Sequence, residues 1–368
     1  MLFNSYIWSL YKDSEQGQMA INRFNSVTSA NIESEFGLGE YVWPLNDEGK
    51  QYWGQDELRF NVPAWVQAFA AQHVVTCSDD ATRLYNTLIQ EGISLEARNV
   101  EGVKDEFCRF GGGEKGYEDL ICDIERLSFG LYFAHPNYFL PYLFQCKFYQ
   151  FQKLCDAFDI PLPLVPGKQD WHGRAMYYFH LNQSLQEFRI LHGLSPAEMC
   201  AFLYDFAPEV LREQQAELPP PSKVWLLTGG AGSNGDFEFL DQSTEESTSH
   251  WQGNIDTRRG DILLMYCISP RSYIHSIWRA TTDGFFDPFF YYHSTIWVDS
   301  PIKTTLITFK EMKVHPLLSQ KGAIKAHFQG PSGKAFTVEE YQAILGIMAE
   351  KGQGCQPLNR RRLFQTRN

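Results

Sequence analysis

A tryptophan set among small polar residues is the first feature of the sequence that could recognise a ligand. Trp251 is followed by Gly253 and Asn254 and lies at the end of a polar, glycine-rich loop, outside any apolar run. A flat nucleobase stacks on an aromatic face for about 1–3 kcal/mol, and neighbouring polar groups can then recognise the edge of the base. A tryptophan here could equally close the end of a small barrel as a core residue. The residue types alone leave both interpretations open.

Other residues could complete a slot around Trp251. Thr228 and Gly229 end an apolar strand and would offer a hydroxyl and backbone groups beside the Asn254 amide. An extruded base needs a pocket that aromatic rings close and few polar atoms line. The aromatic segment 285–292 could supply the opposite wall of the slot. Its candidate wall residues are Phe286, Phe290 and Tyr291.

Patterns that would support hydrolysis are weak. The sequence contains no G-x-S-x-G, H-E-x-x-H or zinc-deaminase pattern. The run Gly111–Lys115 lacks the spacing of a phosphate-binding loop. The carboxylates of Glu118, Asp119, Asp123 and Glu125 precede no lysine-bearing strand, so a solvated helix face explains them better than a nuclease centre. We therefore expect no catalytic residue, no metal ligand and no cofactor.

Length and composition indicate a folded protein of two domains. The chain has 368 residues, of which 43% are hydrophobic and 15% aromatic. It contains no apolar run near the ~20 residues of a membrane helix and nothing that resembles a signal peptide. The eight cysteines are scattered, which is typical of reduced, buried thiols. We expect a cytoplasmic protein with no membrane partner.

The negative charge of the chain is concentrated before its proline-rich segment. The net charge is −12, yet the residues from Pro221 onward hold 16 Lys+Arg against 14 Asp+Glu. The preceding residues therefore hold 16 basic against 30 acidic side chains. A near-neutral C-terminal part can bind a nucleotide through stacking and local contacts, although charge alone would not hold a long duplex.

Periodicity and turn residues place these groups on secondary structure. Helical spacing covers 5–24, 79–90 and most of 118–206, and Ser195 opens a capping box. Short apolar runs predict strands at 224–228, 262–268, 273–280 and 294–299. A short helix is expected at 309–312, and Thr337 caps a last helix.

Three consecutive prolines suggest the domain boundary. Pro219–Pro221 cannot continue a helix and form a stiff spacer. The predicted domains are an acidic, mainly helical domain at 1–217, a second domain at 222–350 and a basic tail at 351–368.

The second domain resembles a known family in the order of its motifs. The matching segments are Val224–Leu227, Trp251–Asn254, Gly260–Tyr266, Trp297–Asp299 and Thr337–Tyr341. Together they resemble the EVE domain, a relative of the YTH readers of methylated adenine among the PUA-like barrels. The resemblance implies an α+β PUA-like (EVE/YTH-type) β-barrel, which would follow the mainly α N-terminal domain that the helical spacing predicts.

The family likeness also implies site residues. In the family, the tryptophan that matches Trp251 packs on a modified base, and the strand that matches Asp261–Tyr266 ends in Tyr-His-Ser. This chain has Tyr266 at that point and a displaced serine, Ser269. Together with the slot residues named above, this gives the predicted base-binding set Trp251, Asn254, Gly253, Thr228, Gly229, Tyr266, Ser269, Phe286, Phe290 and Tyr291.

The first domain resembles helical regions that precede reader domains in bacterial modification-dependent (type IV) restriction and anti-phage proteins. The segments that carry this resemblance are 133–144 and 201–208. The two resemblances together imply a non-catalytic reader that flips a methylated or hydroxymethylated cytosine, or a methyladenine, out of DNA. Cleavage would then require a nuclease or NTPase partner. Two alternatives stay open: a metal-dependent nuclease centre in the first domain, and an RNA-binding PUA-like module.

Overall fold

The computed structural model describes residues 3–44, 47, 50–51, 54, 56–97, 123–211, 217–230, 235–290, 294–328 and 332–351. The chain divides into two compact units. The helical unit comprises Met1–Gln214 together with Asp287–Tyr292, and the sheet unit comprises Gln215–Phe286 together with His293–Asn368. Each unit is built around its own core.

The helical unit consists mainly of helices that follow the predicted periodicity. Its helices are Ser5–Asp13, Glu15–Ser26, Ile32–Phe36, Val62–Ala70, Ser78–Ala97, Ile124–Ala134, Phe148–Phe158, Trp171–Leu191, Pro196–Ala201 and Ala207–Val210, with a π-helix at Phe202–Phe206. Strands β1 (Tyr41–Pro44) and β2 (Glu57–Phe60) pair antiparallel. The predicted helix over 5–24 is broken at Ser14, because its hydroxyl caps a second helix by accepting the Gly17 N–H.

One segment of the helical unit comes from the C-terminal part of the chain. The sequence predicts that residues 285–292 belong to the C-terminal domain, whereas Asp287–Tyr292 groups with the helical unit. Phe289 is only 1% exposed, and its ring centroid lies 4.4 Å from that of Tyr142. Its carbonyl oxygen accepts a 2.9 Å hydrogen bond from Nε2 of Gln145. Burial of this large aromatic ring explains why the segment packs with the helices.

The sheet unit is organised by a curled mixed sheet that forms a half-barrel. Its strands are β3 (Val224–Gly229), β4 (Ser249–Gln252), β5 (Ile262–Cys267), β6 (Tyr273–Ala280), β7 (Phe285–Phe286), β8 (Ser294–Thr308) and β9 (Lys334–Phe336). Among the described residues the order is β4-β8-β6-β5-β3-β9, with β7 paired to β8. Strands β3 and β5 run parallel, and the remaining pairs are antiparallel.

Both faces of the central strands are buried, which explains their continuous apolar sequences. On one face, Leu226 and Leu264 pack with Ile344 of the last helix, Val338–Glu350. On the other face, Leu227 and Leu263 belong to a cluster that contains Leu240 and Trp251. Short helices at Phe309–Val314, Leu318–Gln320 and Gly322–Lys325 complete the unit.

The loop expected between the first two strands of this sheet contains two further elements. It contains the helix Asp236–Gln242, here called the covering helix, and the edge strand β4. Leu240 anchors the covering helix because its side chain is fully buried against the sheet. In the described part of the chain, no helix is both long and apolar enough to cross a membrane.

Candidate functional site

Trp251 lies in the core face of the sheet unit. It sits on β4 opposite Ile296 of β8 and is 8% exposed. Its indole Nε1 donates a 3.1 Å hydrogen bond to the carbonyl oxygen of Thr228, at the end of β3. Because that bond satisfies the polar atom of the side chain, the orientation of the ring is fixed.

The covering helix places a phenyl ring against two tryptophans. The Phe239 ring centroid lies 6.2 Å from that of Trp251 and 5.9 Å from that of Trp278, with an interplanar angle of 28° to Trp278. Phe239 is partly exposed, whereas Trp278 is fully buried. These distances are those of interacting aromatic pairs. The three rings therefore form an aromatic layer beneath the covering helix.

A glycine next to Trp251 is required by the close approach of the ring. A β-carbon built on Gly229 would lie 3.1 Å from Cζ2 of Trp251, which is tighter than an ordinary contact. The following residue, Gly230, donates its N–H to the Asp236 carboxylate at 2.8 Å. The first turn of the covering helix is thereby tied to the end of β3.

The other end of the covering helix is also held to the sheet. Asp241 accepts hydrogen bonds of 2.8 and 2.6 Å from the two terminal nitrogens of Arg271, and its backbone carbonyl accepts one of 2.6 Å from Lys303. The hydrogen bond from Arg271 is the main reason that the pKa of Asp241 lies below its ordinary value. His275 Nε2 lies 3.4 Å from Asp241, and burial lowers the pKa of this histidine.

Asn254 and Gly253 lie near the same end of the sheet in supporting positions. The Asn254 side chain donates to the Gly333 carbonyl at 3.1 Å and accepts from the Asp256 N–H at 2.9 Å. A β-carbon on Gly253 would meet Ile296 at 2.8 Å. Both atoms of the Asn254 amide are therefore occupied by the protein, so this residue positions the loop.

The remaining predicted residues are distributed differently. Tyr266 packs on the opposite face of the sheet, with its ring 4.4 Å from that of Phe328. Ser269 lies in an exposed turn after β5, and Phe286 of β7 is 45% exposed. Phe290 belongs to the helical unit, and Tyr291 lies outside the described residues. Of the ten predicted residues, the structure thus brings Thr228 and Gly229 into direct contact with Trp251.

Sequence analysis did not identify Phe239, Trp278 or Asp261. The apolar residues of 237–240, in a polar loop, could have indicated the covering helix. Asp261 is fully buried and accepts five hydrogen bonds, from the Ser222 N–H and hydroxyl, the N–H groups of Lys223 and Arg258, and the indole of Trp225. Burial alone would raise the pKa of Asp261, but these hydrogen bonds hold it below its ordinary value.

Of the four carboxylates considered for nuclease chemistry, two lie in the described part of the chain. Asp123 pairs with Arg126 at 3.0 Å, and burial raises the pKa of Glu125 to about 7. Glu118 and Asp119 lie outside the described residues, as does the run at 111–115. No group of three or more His, Cys, Asp or Glu side chains that could hold a metal ion occurs within the described ranges.

Comparisons with known proteins assign no family to the chain. No protein-family model matches it, and no curated protein matches it. Among solved structures, it is similar to the NMR structure of Rpa0253 from Rhodopseudomonas palustris, with 18% sequence identity and a TM-score of 0.30. That match covers 36% of this chain and 96% of the other. A likeness at this level establishes no function.

Proposed function

We propose that the sheet unit is a PUA-like barrel of the EVE/YTH type that binds a flipped, modified base of DNA on Trp251. The observation that carries this proposal is the aromatic layer formed by Trp251, Trp278 and Phe239. The Thr228 carbonyl and the Gly229 backbone lie beside this layer, and a base-binding pocket combines aromatic rings with such polar groups. The function is recognition, as the specificity component of a modification-dependent restriction or anti-phage system, with cleavage by a nuclease or NTPase partner.

The base would take the place of the Phe239 ring. Phe239 is partly exposed and stands on a helix of seven residues, whereas Trp251 and Trp278 are held in the core. The Phe239 ring is tilted by 38° to the Trp251 indole, and a flat base in its place could stack on that indole and replace the lost aromatic contact. The hydrogen bond from Trp251 to Thr228 keeps the indole in place during that exchange, so the stacking surface is preorganised.

Discrimination among bases would then come from contacts at the base edge. Extrusion of a base costs a few kcal/mol, which stacking and edge contacts must recover. The near-neutral charge of the C-terminal part supports local recognition over long electrostatic contact with a duplex. The expected ligands are methylated or hydroxymethylated cytosine and methyladenine, because each adds a group that a closed pocket can contact.

The test measures binding of the full chain to short DNA duplexes that carry cytosine, 5-methylcytosine, 5-hydroxymethylcytosine or N6-methyladenine. The proposal is supported if the wild-type protein prefers one modified duplex. The affinity for that duplex should fall at least tenfold in Trp251→Ala and be largely kept in Trp251→Phe. Equal affinity of the folded wild-type protein for all four duplexes contradicts the base-reading proposal. Competition by RNA carrying the same modified base tests the RNA-binding alternative directly.

Thermal unfolding of each variant provides the control, because Trp251 also belongs to the core. Binding is compared only among folded variants, because an unfolded variant loses binding whatever the role of Trp251. The conservative Trp251→Phe variant therefore distinguishes the stacking role from the packing role.

A further inference from the structure

The helical unit contains a cavity that the base-reading proposal does not use. Its volume is about 430 Å³. It lies where the ends of the helices Glu15–Ser26 and Ile124–Ala134 meet the helix Val62–Ala70 and the first turn of Pro196–Ala201. That volume is within the range of small-molecule sites.

Aromatic rings form the apolar part of the cavity lining. Phe24 and Tyr132 are buried, and Phe133 is partly exposed. The Tyr132 hydroxyl donates a 3.2 Å hydrogen bond to the carbonyl oxygen of Phe24. The Phe24 ring is itself held by Phe36, at 5.3 Å between centroids. These contacts make the aromatic part of the lining rigid enough to receive a flat ring.

Three carboxamides line the same cavity: Asn25, Gln67 and Asn137. Within the described residues, none of these side-chain amides makes a hydrogen bond to the protein. In contrast, Asn61 and Asn182 of the same unit use both the oxygen and the nitrogen of their amides. Each free amide offers one acceptor and a pair of donor hydrogens. Gln67 is half-buried, whereas Asn25 and Asn137 are exposed, so the amides that line the cavity are open to solvent and to a ligand.

Charge is the third property that restricts the ligand. Among the described residues that line the cavity there is no Lys, Arg, His, Asp or Glu. A phosphate or carboxylate would find no ionic partner in this lining, whereas an uncharged ligand needs none. Carboxamides of Asn and Gln pair in bidentate fashion with the N6 and N7 edge of adenine.

We propose that this cavity binds an uncharged adenine nucleoside. The base lies against the rings of Phe24, Tyr132 and Phe133, and its edge is recognised by the amides of Gln67 and Asn137. This proposal is independent of base reading by the sheet unit, because it rests on residues of the helical unit alone.

The test is titration calorimetry of the full chain with adenosine, AMP and glucose. Saturable 1:1 binding of adenosine is expected, with AMP binding no more tightly because no cation lines the cavity. Gln67→Ala and Asn137→Ala should each weaken adenosine binding by about 3- to 10-fold, as expected for the loss of a hydrogen bond.

Gln72→Ala is the matched control, since Gln72 is an exposed carboxamide of the same unit that does not line the cavity. It should leave adenosine binding unchanged. Absence of heat with adenosine at millimolar concentration overturns the proposal, and so does tighter binding of AMP or equal binding of glucose. Weakening by Gln72→Ala as great as by Gln67→Ala would also refute it. Thermal unfolding verifies that each variant is folded.

Discussion

The indole N–H of Trp251 donates a 3.1 Å hydrogen bond to the backbone carbonyl of Thr228. This bond joins the edge strand β4 to the end of β3, two strands that are not neighbours in the sheet. It leaves the faces of the indole as the part of the side chain that can interact with another ring. The packing role and the proposed stacking role of Trp251 can therefore be separated by substitution.

Replacement of Trp251 should affect stability in a graded way. Trp251→Ala is expected to lower the free energy of unfolding by about 3–5 kcal/mol, because it removes a large core ring. Trp251→Phe retains most of the apolar contact and should cost less, although it leaves the Thr228 carbonyl without its donor. Urea unfolding of both variants measures the difference. Equal losses in the two variants would contradict a dominant packing contribution.

Phe239 is expected to compete with a bound base. Phe239→Ala removes aromatic contacts worth about 0.5–1.5 kcal/mol per pair and should raise the affinity for the preferred modified duplex by up to about tenfold. Phe237→Ala is the control, because Phe237 stands on the same helix but lies under Arg271, 4.4 Å from its guanidinium. Fluorescence anisotropy with labelled duplexes measures both. Weaker binding in Phe239→Ala alone would show that the ring assists the ligand instead.

Substitution of Gly229 by alanine is expected to destabilise the sheet unit. The β-carbon of Gly229→Ala would press on Trp251 at 3.1 Å, so the indole or the strand must shift. The expected loss of unfolding free energy is about 1–3 kcal/mol, the usual cost of overpacking. The control is Gly346→Ala, where a β-carbon meets nothing within 4 Å and helix propensity favours alanine. Thermal denaturation compares the two. A neutral Gly229→Ala would mean that the ring can move freely.

Asp287 should make the helical unit less stable as the pH rises. Burial raises the pKa of Asp287 to about 7, from about 4 in an unfolded chain. The folded state therefore holds a proton that the unfolded state loses, so the stabilisation is complete below about pH 4 and is lost as the pH rises to about 7. The effect is on the order of a few kcal/mol.

Asp287→Asn should flatten this pH dependence in part, as measured by urea unfolding between pH 4 and pH 8. Glu125 acts in the same direction, since burial raises its pKa to about 7 as well. Some dependence should therefore survive in Asp287→Asn and fall further when Glu125→Gln is added. A profile identical to that of the wild type would contradict the assignment to Asp287.

Asp261 should be among the most sensitive positions of the sheet unit. Its carboxylate accepts five hydrogen bonds from the segment before β3, the Trp225 indole and the Arg258 N–H. Asp261→Ala leaves these donors buried without an acceptor and should cost about 3–5 kcal/mol or prevent folding. Asp261→Asn retains one acceptor oxygen for these hydrogen bonds and should lower the unfolding free energy less than Asp261→Ala. Solubility and unfolding free energy measure both, and a neutral Asp261→Ala would rule out this role.

Local sequence patterns suffice to predict much of the secondary structure. Apolar runs bounded by turn residues located β3, β5 and β6, and capping boxes at Ser195 and Thr337 marked two helix starts, because these signals are local. The same local patterns indicated a mainly helical first part and a sheet-containing second part.

The arrangement of the candidate site follows from long-range packing and could not be predicted from local patterns. The covering helix forms because Leu240 and Phe239 pack against the sheet, a contact that the local sequence does not predict. Asp287–Tyr292 belongs to the helical unit because Phe289 is buried among helices that are distant in sequence. Tyr266 and Trp251 are both aromatic and close in sequence, yet the sheet places them on opposite faces. Such outcomes depend on contacts between residues far apart in the chain, which hydrophobic burial selects and local pattern does not encode.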